Sequence, residues 1–184
     1  MEEKNTEKSA RMFFALWPGG RTRGALTQAA DKLHRCCGGK RTRAETLHLT
    51  LVFLGAVPLS RIGNLLEAAG KVHVPAFAMK LTKLGWWRHN RIAWAMPETV
   101  PEELAELVGQ LRAQLASVGL AFDAKPYVPH VTLLRKGHCP DEAFPPLAVE
   151  WRAREFVLVR SKPSAAGAAY EIVGRWALSG IALK

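Results

Sequence analysis

Two stretches decide the reading of this chain: His48-Leu49-Thr50-Leu51-Val52-Phe53-Leu54-Gly55 and His130-Val131-Thr132-Leu133-Leu134-Arg135-Lys136. Each is a short apolar run closed by glycine or charge, too short for a helix to bury and of strand length. Side chains alternate faces along a strand. His48 and Thr50 therefore share one face, with Leu49, Leu51 and Phe53 behind. His130 and Thr132 share a face in the same way, against Val131 and Leu133. Each strand thus has a greasy back and a front holding an imidazole and a hydroxyl. Six histidines and nine threonines predict roughly 0.3 His-x-Thr pairs by chance, and two occur, both followed by Leu.

Outward from these strands the pattern is α+β. Met12 to Trp17 reads as a buried strand stopped by Pro18-Gly19-Gly20. Leu26, Ala29, Ala30, Leu33 and Cys37 keep helical spacing from Arg21 to Cys37, with Gly38-Gly39 as the stop. A short helix follows Leu47 to Leu54, carrying Ile62, Leu65, Leu66 and Ala69 on one face. Phe77 to Leu84 and Arg91 to Met96 are strands flanking the turn Trp86-Trp87-Arg88-His89-Asn90. Val100 to Val118 is the clearest helix, with a capping box expected from Thr99 and Glu102 and an exit at Gly119. His130 to Arg135, Arg154 to Arg160 and Tyr170 to Leu178 complete the strands. Twice a helix of about 17 residues leads through a polar linker to a His-x-Thr-Leu strand, which implies two similar halves.

The 184 residues, 48% hydrophobic, suffice for one well-filled core. Residues 1 to 10 read as a disordered tail and 11 to 184 as a single bilobed domain. Three cysteines, two of them adjacent, fit a reducing compartment better than a disulfide scaffold. The opening residues lack a signal-peptide pattern and no apolar run is long enough to span a bilayer, so the expectation is a cytoplasmic protein with no membrane association. The net charge of +10 favours a polyanionic partner. Much of it lies between Arg21 and Arg43, where Arg21, Arg23, Lys32, Arg35, Lys40, Arg41 and Arg43 are interrupted by Asp31 alone.

Two histidines and two hydroxyls suit phosphodiester chemistry. Near neutral pH one imidazole can take a proton from water while another gives one to the departing oxygen. Threonine hydroxyls can donate to phosphate oxygens as their charge grows. No metal or other cofactor is called for. There is no HExxH and no carboxylate cluster, and the His/Cys groups at 34–37 and 138–139 lack zinc-ligand spacing. A non-catalytic RNA-binding module is the competing reading. It leaves the paired His-x-Thr strands unexplained.

These motifs resemble those of the two-histidine phosphoesterase superfamily, and within it the bacterial and archaeal RNA 2′,3′-cyclic phosphodiesterases once described as 2′-5′ RNA ligases. The resemblance rests on Arg11 to Leu16, the two His-x-Thr strands, Phe156 to Ser161 and Gly167 to Glu171. It implies a bilobed fold of two antiparallel sheets with pseudo-two-fold symmetry around a central cleft and helices on the outer faces. It also implies a monomer acting on RNA that ends in a 2′,3′-cyclic phosphate, leaving a 2′-phosphomonoester. Another small cyclic phosphodiester is the alternative substrate. By carry-over His48 is the general acid, His130 the general base, and Arg135 a phosphate contact. Alternation instead gives Lys136 the His130 face unless the strand bulges. Trp86 and Trp87 beside cations, and Tyr127 and Phe13, are further substrate-binding candidates through stacking on bases. Trp17, Trp94 and Trp176 are expected in the core.

Overall fold

A computed structural model describes residues 8–139, 144–164 and 167–180. Its strands are β1 (Ser9–Leu16), β2 (Lys40–Arg41), β3 (Leu49–Pro58), β4 (Phe77–Trp87), β5 (Ile92–Pro97), β6 (Val131–Arg135), β7 (Val149–Ala153), β8 (Glu155–Ser164) and β9 (Gly167–Ala177). The helices are α1 (Gly20–Cys37), α2 (Ile62–Gly70) and α3 (Glu102–Ser117). The strands run in the order β7-β4-β5-β6-β3-β1-β8-β9, with β2 added beside β6. All their pairings are antiparallel.

The two halves are visible in this order. One is β3-β1-β8-β9 and the other β6-β5-β4-β7, and between them the ladder reduces to a single pair, Leu49 with Val131. Reading each half outward from that seam gives the same sequence of roles: motif strand, then the strand that leads into its helix, then two further antiparallel strands, which are a hairpin only in the first half, β8-β9. The helices are exchanged. α1 leaves β1 of the first half and packs on β6 and β7 of the second, whereas α3 leaves β5 and packs on β3 and α2. Both bury the face their spacing predicts: Leu26, Ala29, Ala30, Leu33 and Cys37 on α1, and Leu104, Leu107, Val108, Leu111 and Leu115 on α3. Each of these two helices therefore ties the halves together by burying apolar area against the opposite one. On α2, Leu65 and Ala69 are buried as expected, Ala68 joins them, and Leu66 is exposed.

Several expectations change. β1 begins at Ser9, so Ser9 and Ala10, read as tail, pair with Pro58 and Val57. Residues 1–7 lie outside the described residues. The Thr99–Glu102 capping box does not form, because Pro101 takes the N-cap position and no side chain bonds there. Gly119 does close that helix, at φ 65°, with Leu120 N–H donating to the Leu115 carbonyl. β2 and β7 had no signal, being two and five residues long. Cys37 and Cys139, 102 residues apart in sequence, form a disulfide, and Cys36 is left as an exposed free thiol. That pairing is tertiary: the end of α1 meets the segment after β6, where His138 N–H donates to the Cys37 carbonyl.

Candidate active site

The motif strands are held at the seam, and their register sets the site. Leu49 opposite Val131 is the single pair that joins the motif strands, and beside it His48 and Thr132 line one cavity while His48 and Thr50 line the next. Each motif therefore brings one imidazole and one hydroxyl to the seam, and His130 lies near enough to His48 for its charge to act there.

The local conformation is repeated too. His48 Nδ1 lies 2.7 Å from the Thr46 carbonyl oxygen, and His130 Nδ1 lies 2.8 Å from that of Val128. A carbonyl only accepts, so Nδ1 carries the proton in both rings and Nε2 is the atom left to exchange protons. Tyr127 supports the arrangement from behind: its hydroxyl donates to the Thr50 carbonyl at 3.3 Å, linking the approach to β6 with β3. Burial pushes that phenol well above its usual range. Tyr127 is thus a strut packed against the core, away from any base contact.

Strand counting fails after the threonines, and the reason is a bulge in each motif strand. Phe14 pairs with Val52 and Ala15 with Thr50, which leaves Leu51 extra on β3. Ala93 pairs with Leu134 and Trp94 with Thr132, which leaves Leu133 extra on β6. A bulge resets the alternation. Leu51 and Val52 are both buried, as are Leu133 and Leu134, and the next residue in each strand turns to the front. Those residues are Phe53 and Arg135, each five positions after its histidine. Phe53, expected on the back, instead lines the cleft under the Arg11 guanidinium, 4.9 Å from its ring centre. Arg135 faces the site with His48 and Thr132. Lys136, the competing cation, has left the strand at φ 58°, and its carbonyl accepts from Arg91 at 3.0 Å. It lines neither cavity beside His48.

The two histidines differ in their surroundings. His48 is enclosed by Trp17, stacked at 5.3 Å, by Phe13 at 4.9 Å and by the edge-on Tyr170 at 5.4 Å. Burial lowers its pKa to about 4, against the Thr46 carbonyl, which favours the protonated ring; Arg135 and His130 push the same way as burial. His130 meets Trp87 edge-on at 4.7 Å. Its pKa is also lowered, by burial first and then, after the opposing Val128 carbonyl, by Arg135.

Of the other predicted aromatics, Phe13 is a wall of the His48 enclosure and Trp87 touches His130. Trp86, one residue away on β4, faces the other side of the sheet, packs on the core and meets His138 at 5.3 Å. Trp17 was expected in the core and lies against His48 instead. Trp94 sits opposite Thr132 and against Trp87, and a Cβ on Gly85 would fall 2.2 Å from its ring. Trp176 packs on Phe156 as expected. Sequence reasoning missed Tyr170 and Arg11 as site residues. Arg11 is on β1 and Tyr170 on β9, both in the first half and both far in sequence from the His-x-Thr pairs.

Two cavities open from this centre. One is lined by Lys40, Arg41, Thr42, Arg43, Thr46, His48, Thr132, Arg135, Ala168 and Tyr170. The second shares His48, Arg135, Ala168 and Tyr170 and extends to Arg11, Phe13, Thr50, Phe53 and Ser161. Among the described residues neither lining contains a carboxylate, and no three His, Cys, Asp or Glu side chains are grouped to hold a metal.

His48, Thr50, Thr132 and Arg135 line these carboxylate-free cavities, and His130 lies close enough for its charge to act on His48. Both rings have a free Nε2 atom, which completes the donor set of a two-histidine phosphoesterase. The chain belongs to the family described as LigT-like phosphoesterase, whose pattern matches residues 17–94 and again 95–170, each match holding one motif strand. It is 34% identical over 145 residues to the RNA 2′,3′-cyclic phosphodiesterase of Escherichia coli K12, covering 77% of this chain and 81% of that one. The protein of the same description from Thermus thermophilus is 30% identical over 185 residues, with 92% and 91% covered. The crystal structure of E. coli LigT complexed with 3′-AMP superposes with a TM-score of 0.84 at 30% identity, over 94% of this chain and 99% of that chain. The MHV ns2 PDE domain, at 12% identity and a TM-score of 0.62, shares the fold.

Proposed function

We propose that this chain hydrolyses the terminal 2′,3′-cyclic phosphate of RNA to a 2′-phosphomonoester, with His48 and His130 as its proton-transfer pair. The observation that carries this reading is the matched pair of imidazoles, each locked by a main-chain carbonyl and each leading into one of the two strands that meet at the Leu49–Val131 pair. Water attacks phosphorus as one Nε2 takes its proton; the bond from phosphorus to the 3′ oxygen breaks as the other Nε2 supplies a proton to that oxygen. Two groups on opposite sides of the seam suit such an in-line displacement. Thr50 and Thr132 donate to the non-bridging oxygens, and Arg135 balances their charge.

In this scheme His48 is the acid toward the 3′ oxygen and His130 the base. The low pKa of His48 favours the reverse order, because a ring that is neutral at pH 7 is poised to accept. The anionic phosphate raises both values on binding, so the order is decided by which limb of the pH profile each variant loses. Both motifs come from one chain, which supports a monomer as the working unit. No helix among the described residues is long and apolar enough to cross a membrane. We place the activity in the cytoplasm.

The activity is proposed to be metal-independent, on the strength of the donor set: the cleft offers imidazole, hydroxyl and guanidinium groups and no carboxylate among the described residues. Oligoribonucleotides ending in a 2′,3′-cyclic phosphate, incubated with the protein in excess chelator, should yield 2′-phosphate ends by mass and end-group analysis. Activity lost to chelator and restored by zinc, or a 3′-phosphate product, would overturn the proposal.

A further inference from the structure

The cavity beside His48 holds more positive charge than one cyclic phosphodiester requires. Arg135 is matched to the single negative charge of that group. Next to it, in direct register on the neighbouring strand, stands Lys40. Directly opposed residues of an antiparallel pair project from the same face, and both side chains line the same cavity. Among the described residues, no carboxylate lines that cavity with them.

The short strand β2 holds Lys40 there. Its approach to β6 depends on Gly39, at φ 79°, where a Cβ would lie 2.7 Å from the Arg135 carbonyl oxygen. Thr42 N–H then donates to the Leu133 carbonyl at 2.8 Å, continuing the pairing past the bulge. Among the described residues the Thr42 hydroxyl has no hydrogen-bond partner, although its residue lines the cavity. Arg43 is fixed at the cavity wall by donating to the Ala168 carbonyl at 2.7 Å. Both arginines have a carboxylate partner outside the cavity lining: Arg41 pairs with Asp31 of α1, and Arg43 with Glu45 at 3.5 Å. Of the basic stretch read from the sequence, Lys40, Arg41 and Arg43 reach the cleft, whereas Arg35 lines a separate groove with Phe144 and Pro145.

We infer that Lys40, with the Thr42 hydroxyl and Arg43 beside it, forms a second phosphate subsite, for the phosphate on the 5′ side of the terminal nucleotide. The inference rests on the function proposed above, since the terminal nucleotide of an RNA carries a 5′ phosphate that a nucleoside cyclic phosphate lacks. It assigns the enzyme a preference for RNA ends over nucleoside cyclic phosphates, and it places that preference on a side chain outside the proton-transfer machinery.

The test compares calorimetric affinities of a nucleoside 2′,5′-bisphosphate and the matching nucleoside 2′-monophosphate for the full chain. The bisphosphate should bind about tenfold more tightly, as expected for one charge-assisted contact. Lys40→Gln should bring that ratio to within about twofold, Lys40→Arg should keep it, and the salt dependence of bisphosphate binding should fall by about one phosphate contact in Lys40→Gln. Equal affinities for the two ligands, no binding of either, or a ratio untouched by Lys40→Gln would each overturn the subsite. The two readings fail separately. A bisphosphate preference without hydrolysis of cyclic ends would sink the proposed reaction and leave a phosphate subsite, whereas hydrolysis without the preference would sink the subsite alone.

Discussion

The first half of the molecule presents Phe53 where the second presents Arg135. Everything leading to those positions is repeated: a histidine held by the carbonyl two residues before it, a threonine on the same face, and a bulge three residues after the histidine. The backbone is thus close to symmetric, and the side chains break the symmetry. One arm is apolar, with His48 enclosed by Trp17, Phe13 and Tyr170 and followed by Phe53. The other is more open and carries a guanidinium. Two equivalent backbones place two imidazoles at matched positions. Unequal surroundings enclose His48 in aromatic rings and put a guanidinium, in place of a phenyl ring, five residues after His130.

The largest effects should come from the shared parts. His48→Ala and His130→Ala should each lower turnover by about 10² to 10⁴, measured on cyclic-phosphate-ended RNA, with much smaller changes in affinity. The double variant should be far from additive if the pair works as a unit. Because both pKa values are lowered, the state with one ring protonated and one neutral is most populated between about 4 and the ordinary value of 6.5. The kcat/KM profile of the free enzyme should therefore peak below pH 6.5, fall on both sides, and lose one limb in each single variant. Full activity in both single variants would break the comparison at its base.

The asymmetric position should follow. Arg135→Gln should cost about 10² in kcat/KM, the scale of losing one charged donor to the developing negative charge. Phe53→Leu, at the equivalent position of the other half, should stay within a few-fold. Similar losses in both would mean that position five matters for packing rather than charge. Smaller effects are expected at the hydroxyls. Thr50→Ala and Thr132→Ala should each cost roughly tenfold to a hundredfold, since water can replace part of a hydroxyl's hydrogen bonding. A large difference between the two threonines would show that the phosphate sits off the symmetry axis, nearer one half.

The helices were legible because their buried faces recur at three and four residues, and α1 and α3 bury the residues that spacing names. The motif pairs were legible because His48 and Thr50, and His130 and Thr132, lie before the bulges, where period two still holds. The lining from Lys40 to Arg43 was visible only as charge. Its approach to Arg135 depends on the two-residue β2, which is too short to leave a periodic signal.

By itself the sequence determined the identity and local phase of the chemical groups: two imidazoles, two hydroxyls, and the apolar backs that force those groups to the front of their strands. That information is local, since alternation needs only neighbouring residues. Tertiary structure decided the rest. It set the Leu49–Val131 pair that joins the two motif strands, and the bulges that turned Arg135 and Phe53 toward the cleft in place of Lys136. It also chose the faces of Trp86 and Trp87 and joined Cys37 to Cys139. A bulge adds one residue to a strand only relative to its partner, so counting along a single strand carries no trace of it.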